Sequence, residues 1–381
     1  TFTVRTQDVK DKLVVSGVAE EKIVVEGSGI IEPDESFTQE GITYQVLTQP
    51  EGDTLGTLQV GDGKTALSLS GEVVIPATVA NGPFQYQVTV LGENALNGAE
   101  ELTALTLPEG LTEIGDSAIS GTGLTAITIP KTVEKIGVNA ISGNYSLKSI
   151  QFEPGGALVE LGNGALCDNT YLETITNLPK TLTTLGIRTM GWNYHLTTVT
   201  FEPGSALTDI GEGTFFRAEE LTALTLPAGV TVIGKEAFYN CNKLATFQFE
   251  NQVTSKEAGV DLSRITSIGE NAFYHCAALQ GKLTLSEQLI ELPGGAFAGC
   301  TGFTTVLLPE SITTLGEVTG GTEEEVLGVF EGCAGLQKIV LPESVNSIGK
   351  NTFKDCSSVT EVVIASPKLS GLGANSFHGL A

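Results

Sequence analysis

Six cysteines, three histidines and one run of glutamates are the residues of this chain whose types could do chemistry. Five of the cysteines, Cys241, Cys276, Cys300, Cys333 and Cys356, fall at the same point of a recurring pattern, and neighbours lie at least 23 residues apart. Zinc sites and Cys-x-x-Cys redox motifs need much closer spacing. Thr122, Asn144, Asn169 and Asn193 fill the same slot in earlier copies, so the design does not require pairing. Free, buried thiols are expected, since unpaired cysteine is among the most buried residue types. His195, His275 and His378 sit in different copies and cannot pair with a nucleophile inside one copy. Glu323, Glu324 and Glu325 lack the alternating oxygen donors of a calcium loop and read as a solvated charge cluster. No nucleophile-elbow, zincin, Walker or EF-hand pattern occurs. The chain is expected to be no enzyme, with no cofactor and no metal site.

The elements that carry these residues are repeats. One copy runs from Leu221 through Leu224, Leu226 and Pro227 to Val230, Ile233, Gly234, Ala237, Phe238 and Cys241, and restarts at Leu244. The pattern recurs about eleven times, mostly at intervals of 22 to 25 residues. A fixed period of this size marks a solenoid, because one copy is too short to bury its own apolar face and must stack on its neighbours. Leu224-Thr225-Leu226 alternates in and out as a strand does, and Pro227 cannot donate to a ladder beyond it. A second short strand through Val230 and Ile233 leads to a compact corner at Ala237 and Phe238. Stacking turns Phe215, Phe238, Phe273, Phe297, Phe330, Phe353 and Phe377 into one core column. The glycine after the second strand also recurs. Leu292 is followed by Pro293 at that point, and proline holds φ near −65°. Tight packing, rather than left-handed backbone, is therefore the expected reason for glycine there.

The predicted fold is a mainly β leucine-rich repeat solenoid of stacked parallel strands, two short strands per repeat and about 12 rungs, over residues 73–381. Residues 1–72 form an N-terminal β cap, with Val14-Val15 and Ile23-Val24-Val25 read as extra strands. The chain carries 20 basic and 45 acidic residues, a net charge of −25, and only four arginines. That excludes nucleic acid, which needs a basic stripe, and disfavours anionic membrane surfaces. No apolar run approaches the length of a membrane span. The chain begins at Thr1 rather than at an initiator methionine, as expected if a leader has been removed.

The combination of strand, proline, a second strand ending Ile-Gly, Ala-Phe and Cys resembles the bacterial surface leucine-rich repeats of the BspA-like type, over roughly Val73 to Phe377. Phe37 to Val90, with Gly41-Ile42-Thr43-Tyr44 and Gly71-Glu-Val-Val-Ile-Pro76, is similar to that family's N-terminal lead-in. The resemblance implies a secreted or cell-surface binding protein, with host or microbial surface proteins as partners.

Three candidate surfaces follow. The first is the outward position of the first strand: Thr106, Thr128, Gln151, Thr176, Thr200, Thr225, Gln248 and Thr284, then apolar Leu307, Val340 and Val363. That apolar end is either a ligand surface or is covered by an insertion or a neighbouring chain. The second is an aromatic ridge at the corner, Tyr145, Tyr171, Trp192, Tyr194, Phe216, Tyr239 and Tyr274, which suits glycans or proteins but also corner packing. The third is a pair of insertions, about Glu250 to Arg264 and Glu317 to Leu327, expected to loop out. Adhesion through protein recognition is the leading expectation, with glycan binding through the ridge as the alternative. The C-terminal end is expected to self-associate weakly, unless Leu372, Phe377 and Leu380 fold back and seal it.

Overall fold

The computed structural model describes residues 33–252, 259–316 and 327–381 continuously, together with 2–4, 12, 14–17, 19 and 23–25. Each copy of the repeat makes one rung of a β solenoid, and stacked rungs pair their strands in parallel. Two ladders result. First strands such as Ala126–Ile129, Ser149–Phe152, Thr174–Leu178 and Thr198–Phe201 form one, in which Thr128 faces Gln151 and Gln151 faces Thr176. Two-residue second strands such as Glu113–Ile114 and Lys135–Ile136 form the other. Alternation decides which side chains enter the core: Leu224 and Leu226 are buried while Ala223 and Thr225 are exposed.

The second-strand ladder continues into the N-terminal segment without a break. Phe84–Leu91 pairs with Glu113–Ile114 on one side and with Gly56–Val60 on the other, and Ile42–Thr48 and Ser36–Gln39 extend the sheet as antiparallel strands. Tyr44, Val46, Leu58, Tyr86 and Val88 close the core there. Ile23–Val25 is a strand, paired with Phe2–Val4. Val14 and Val15 are not: their backbone is helical, with Ser16 N–H donating to Lys12 C=O four residues back. A correction also falls on the first insertion. Residues 253–258 lie outside the description, but Gly259–Leu262 is a strand paired with Gln280–Leu285 and adds to the first-strand face rather than looping out. Of the second insertion, residues 317–326 lie outside the described residues.

The core columns follow the sequence pattern. Phe215, Phe238, Phe273, Phe297, Phe330, Phe353 and Phe377 stack nearly parallel, with ring centroids 5.2–5.6 Å apart. All six cysteines are free thiols. The five in the column are buried, and each Sγ–H donates to the carbonyl of the preceding rung's phenylalanine, as Cys300 does to Phe273 at 3.1 Å. In the earlier rungs asparagine does the same work more strongly. Asn169 Nδ2 donates to Ile141 and Leu166 carbonyls, and its Oδ1 accepts from Asn144 N–H.

The glycine column is held by packing. A Cβ on Gly115 would lie 2.8 Å from Glu93 N and 3.0 Å from Gly92 C, in the rung before, with φ outside the left-handed region. Gly316 departs from this, at φ 70°. The left-handed turns lie elsewhere, two residues after that glycine (Asn94, Ser117, Asn139, Arg188, Glu236, Asn271) and two after the core phenylalanine position (Asp168, Trp192, Arg217, Asn240, His275). Asparagine and aspartate tolerate this conformation well, whereas Arg188 and Trp192, at φ 56° and 57°, are the costlier occupants.

Candidate functional site

The ridge residues divide into two groups. Phe216, Tyr239 and Tyr274 form one stack along the corner, with centroid separations of 4.9 and 4.5 Å, and His275 extends it 4.4 Å beyond Tyr274, while Trp192 meets Phe216 at 5.2 Å with its plane tilted by 57°. The Arg188 guanidinium lies 4.9 Å from the Trp192 ring and 5.2 Å from Phe216, and its Nη2 pairs with Glu236 Oε2 at 3.1 Å, two rungs on. Burial raises the Tyr239 hydroxyl above its ordinary pKa, with the Tyr274 and Glu236 charges adding to the shift. Tyr145, Tyr171 and Tyr194 lie apart from this stack. Tyr171 packs on His195 at 5.1 Å, Arg217 covers Tyr194 at 5.0 Å, and Tyr145 O–H reaches Asp168 Oδ2 at 3.5 Å. In the stack the faces of Phe216, Tyr239 and Tyr274 lie against one another, and Arg188 lies over Trp192. Sugar recognition by stacking needs an open face, so this geometry is a corner brace first.

The apolar end of the first-strand face is continuous. Leu307, Val340 and Val363 are 47%, 43% and 36% exposed, and Val340 faces Val363 in register. Ile364 and Val362 of the last first strand are also exposed. At the same end Phe377 stacks on Phe353 and Leu380 is half-buried, while Leu372 stays exposed.

Two clefts on that face were not foreseen. The larger, about 480 Å³, lies between the strands Thr198–Phe201 and Ala223–Leu226, and Thr200, Thr225, Gln248, Glu202 and Glu250 are among the residues lining it. The smaller, about 290 Å³, lies between Leu102–Thr106 and Ala126–Ile129, with Thr106, Thr128, Glu109 and Glu153 in its lining. In both places the first-strand ladder is interrupted: neither pair of strands is hydrogen-bonded. Part of the signal was present in the sequence as Pro130 and Pro227. Where the next rung carries another residue at that point, its N–H closes the ladder, as Glu153 does to Ile129 C=O at 3.0 Å and Glu250 to Leu226 C=O at 2.8 Å. Proline has no such donor. It removes that one bond and does not by itself open a cleft, since Pro179 stands at the same point while Gln151 and Thr176 just before it remain paired.

The three histidines stay on separate rungs, with His378 3.8 Å from Asp355. Among the described residues no group of three or more His, Cys, Asp or Glu side chains could hold a metal, and no helix is long and apolar enough to cross a membrane. Desolvation pushes the Cys356 thiol up to about 12 and the outward Cys167 to about 11, far from an activated nucleophile.

Comparison with known proteins agrees with the rung architecture. A leucine-rich repeat protein from Bacteroides ovatus is 23% identical, with 90% of this chain and 92% of that one covered and a TM-score of 0.54. The pneumococcal vaccine antigen PcpA is also 23% identical, over 89% of this chain and 87% of that one, with a TM-score of 0.54. At this identity both show the fold. The comparison with curated proteins gives no match. The family model described as the BspA type leucine rich repeat region (6 copies) matches residues 79–189, 155–260 and 260–380. With the repeats, the stacked parallel strands and this match in agreement, the chain belongs to the BspA-type leucine-rich repeat family.

Proposed function

We propose that this protein is a non-catalytic, cell-surface adhesion module that docks other proteins on its first-strand face. The observation that carries this reading is the regular outward row on that face. Thr106, Thr128, Gln151, Thr176, Thr200 and Thr225 project from successive rungs as one polar strip, in strict register from Thr128 through Thr176. Where the ladder is paired, from Thr128 through Thr176, the strip offers hydroxyl and amide groups at intervals of about 4.8 Å, a spacing that suits protein docking over several rungs. Family membership supports the surface setting. Repeat solenoids create extended binding surfaces without building a reaction centre.

Glycan binding through the ridge is the weaker reading, because the ring faces of Phe216, Tyr239 and Tyr274 are stacked on one another. A panel of immobilised, purified extracellular-matrix proteins together with a glycan array separates the two. Wild-type protein and Trp192→Ala should capture the same matrix protein, and a variant combining Thr176→Arg with Thr284→Arg should lose at least tenfold in affinity. A glycan signal abolished by Trp192→Ala, with matrix proteins giving none, would overturn the reading.

A further inference from the structure

The two clefts are built alike, four rungs apart. In each, a strand carbonyl that elsewhere accepts from the following rung faces a proline instead: Leu107 opposite Pro130, and Phe201 opposite Pro227. Among the described residues, no backbone hydrogen bond joins segment 197–202 to segment 222–227. Each cleft is flanked by outward threonines, Thr106 and Thr128 in one, Thr200 and Thr225 in the other. Each also has a glutamate on the rung after its proline, Glu153 and Glu250, and a second one beside it, Glu109 and Glu202. No lysine or arginine lines either cleft.

Three of the four carboxylates, Glu153, Glu202 and Glu250, are held in place by backbone donors. Glu153 Oε2 accepts from Lys131 N–H at 3.0 Å, Glu250 from Gly204 N–H at 3.2 Å, and Glu202 from Gly155 and Lys180 N–H at 2.6 and 3.1 Å. A carboxylate offers about four lone-pair sites, so one or two backbone bonds fix its position and leave acceptor capacity free. Carbonyls without donors, threonine oxygens and pre-positioned carboxylates, with no cation among them, are complementary to an ammonium or guanidinium group, whose several N–H bonds need only acceptors. The acceptors stand in clefts rather than on a flat face, which shields the pairing from solvent.

We propose that the two clefts are paired subsites for basic side chains, lysine or arginine, on an extended segment of the partner protein. This rests on the first-strand face being the docking surface. Rungs stack at about 4.8 Å, so four rungs separate the subsites by about 19 Å. An extended chain advances about 3.3 Å per residue, so residues i and i+6 span about 20 Å and point to the same side. The predicted recognition element is therefore two basic residues separated by five others.

Isothermal titration of the full chain with a 13-residue Ser/Gly peptide carrying arginines at positions 4 and 10 tests this. That peptide should bind at least tenfold more tightly than one with a single arginine, since the second contact is intramolecular. Arginines at positions 4 and 7 should give no such gain. Glu250→Gln should weaken binding at least fivefold, and Pro227→Ala, which sets an N–H donor opposite the Phe201 carbonyl and so withdraws an acceptor from the basic group, should weaken it as well. Circular dichroism and thermal melting confirm that both variants remain folded. Equal binding of the two-arginine, one-arginine and arginine-free peptides, or no change in both variants, would overturn the proposal. Loss of matrix-protein binding in the Thr176→Arg/Thr284→Arg variant alongside normal binding by Glu250→Gln would overturn it while leaving the docking face intact.

Discussion

Phe273→Ala is the substitution whose consequence the solenoid dictates most sharply. The Phe273 side chain is fully buried and stacked between Phe238 at 5.2 Å and Phe297 at 5.4 Å, and the Phe247 ring meets it edge-on at 5.5 Å. Truncation removes apolar area from water-free packing and leaves a cavity that rigid neighbouring rungs cannot fill. The expected cost is about 3–5 kcal/mol. Two stacked partners and one edge-on partner, each worth about 0.5–1.5 kcal/mol, place the value toward the upper end. Because the core of each rung packs on the rungs directly before and after it, the loss falls on two interfaces at once and should lower the cooperativity of unfolding as well as its midpoint. Urea denaturation followed by circular dichroism measures both. Thr225→Ala, exposed on the outward face, is the control and should cost under about 1 kcal/mol. Comparable losses for the two substitutions would refute the column assignment.

Asn169→Ala should cost about 2–4 kcal/mol, because it strands the buried Ile141 carbonyl and the Asn144 N–H, while the Leu166 carbonyl keeps Asn193 Nδ2; Cys300→Ala, which removes a thiol bond from the Phe273 carbonyl but leaves it the Cys276 N–H, should cost far less in the same assay. Gly234→Ala should destabilise by about 1–3 kcal/mol, since the added Cβ would sit 2.8 Å from Gly211 C and 2.9 Å from Glu212 N, and thermal melting reports it. The buried thiols of Cys276, Cys300, Cys333 and Cys356 have pKa values raised by desolvation, so the unfolded chain ionises first. Their stabilising contribution is whole below pH about 9 and falls as pH rises above it, with Cys356 losing its share up to about 12, at a limiting slope of about 1.36 kcal/mol per pH unit for each thiol. Denaturation midpoints from pH 8 to 10.5 should fall less steeply in a Cys300→Ala/Cys333→Ala variant.

Periodicity made the rungs legible because stacking forces one side-chain size at each column, so Phe238, Cys241 and Leu224 report their burial directly. The reason for the recurrent glycine was also readable, through Pro293, and Gly115 meets backbone as that reasoning requires. What the pattern hid depends on contacts between rungs. The left-handed turns at Asn139, Arg188 and Trp192 lie at positions where residue type varies from copy to copy, so no column pointed to them. The strand Gly259–Leu262 sits in an insertion without repeat offsets, and its pairing with Gln280–Leu285 is a tertiary event. Val14 and Val15 have strand-forming side chains but helical backbone, a case of local context overriding propensity. The apolar end at Leu307, Val340 and Val363 was readable as an outward column, since in-register pairing follows from the repeat. The ridge was found by residue type, but its stacking, which covers the ring faces, was not. The clefts were marked only in part, by Pro130 and Pro227, which read in isolation as strand ends.

The central claim is that partners dock on the first-strand face. Hydrogen–deuterium exchange of the chain, alone and with the matrix protein it captures, tests it most directly. The account predicts slowed exchange in the peptides covering 126–129, 149–152, 174–178, 198–201 and 223–226, with the corner peptides from Trp192, Phe216, Tyr239 and Tyr274 unchanged. Protection confined to that corner, with the first strands exchanging as in the free protein, would contradict it.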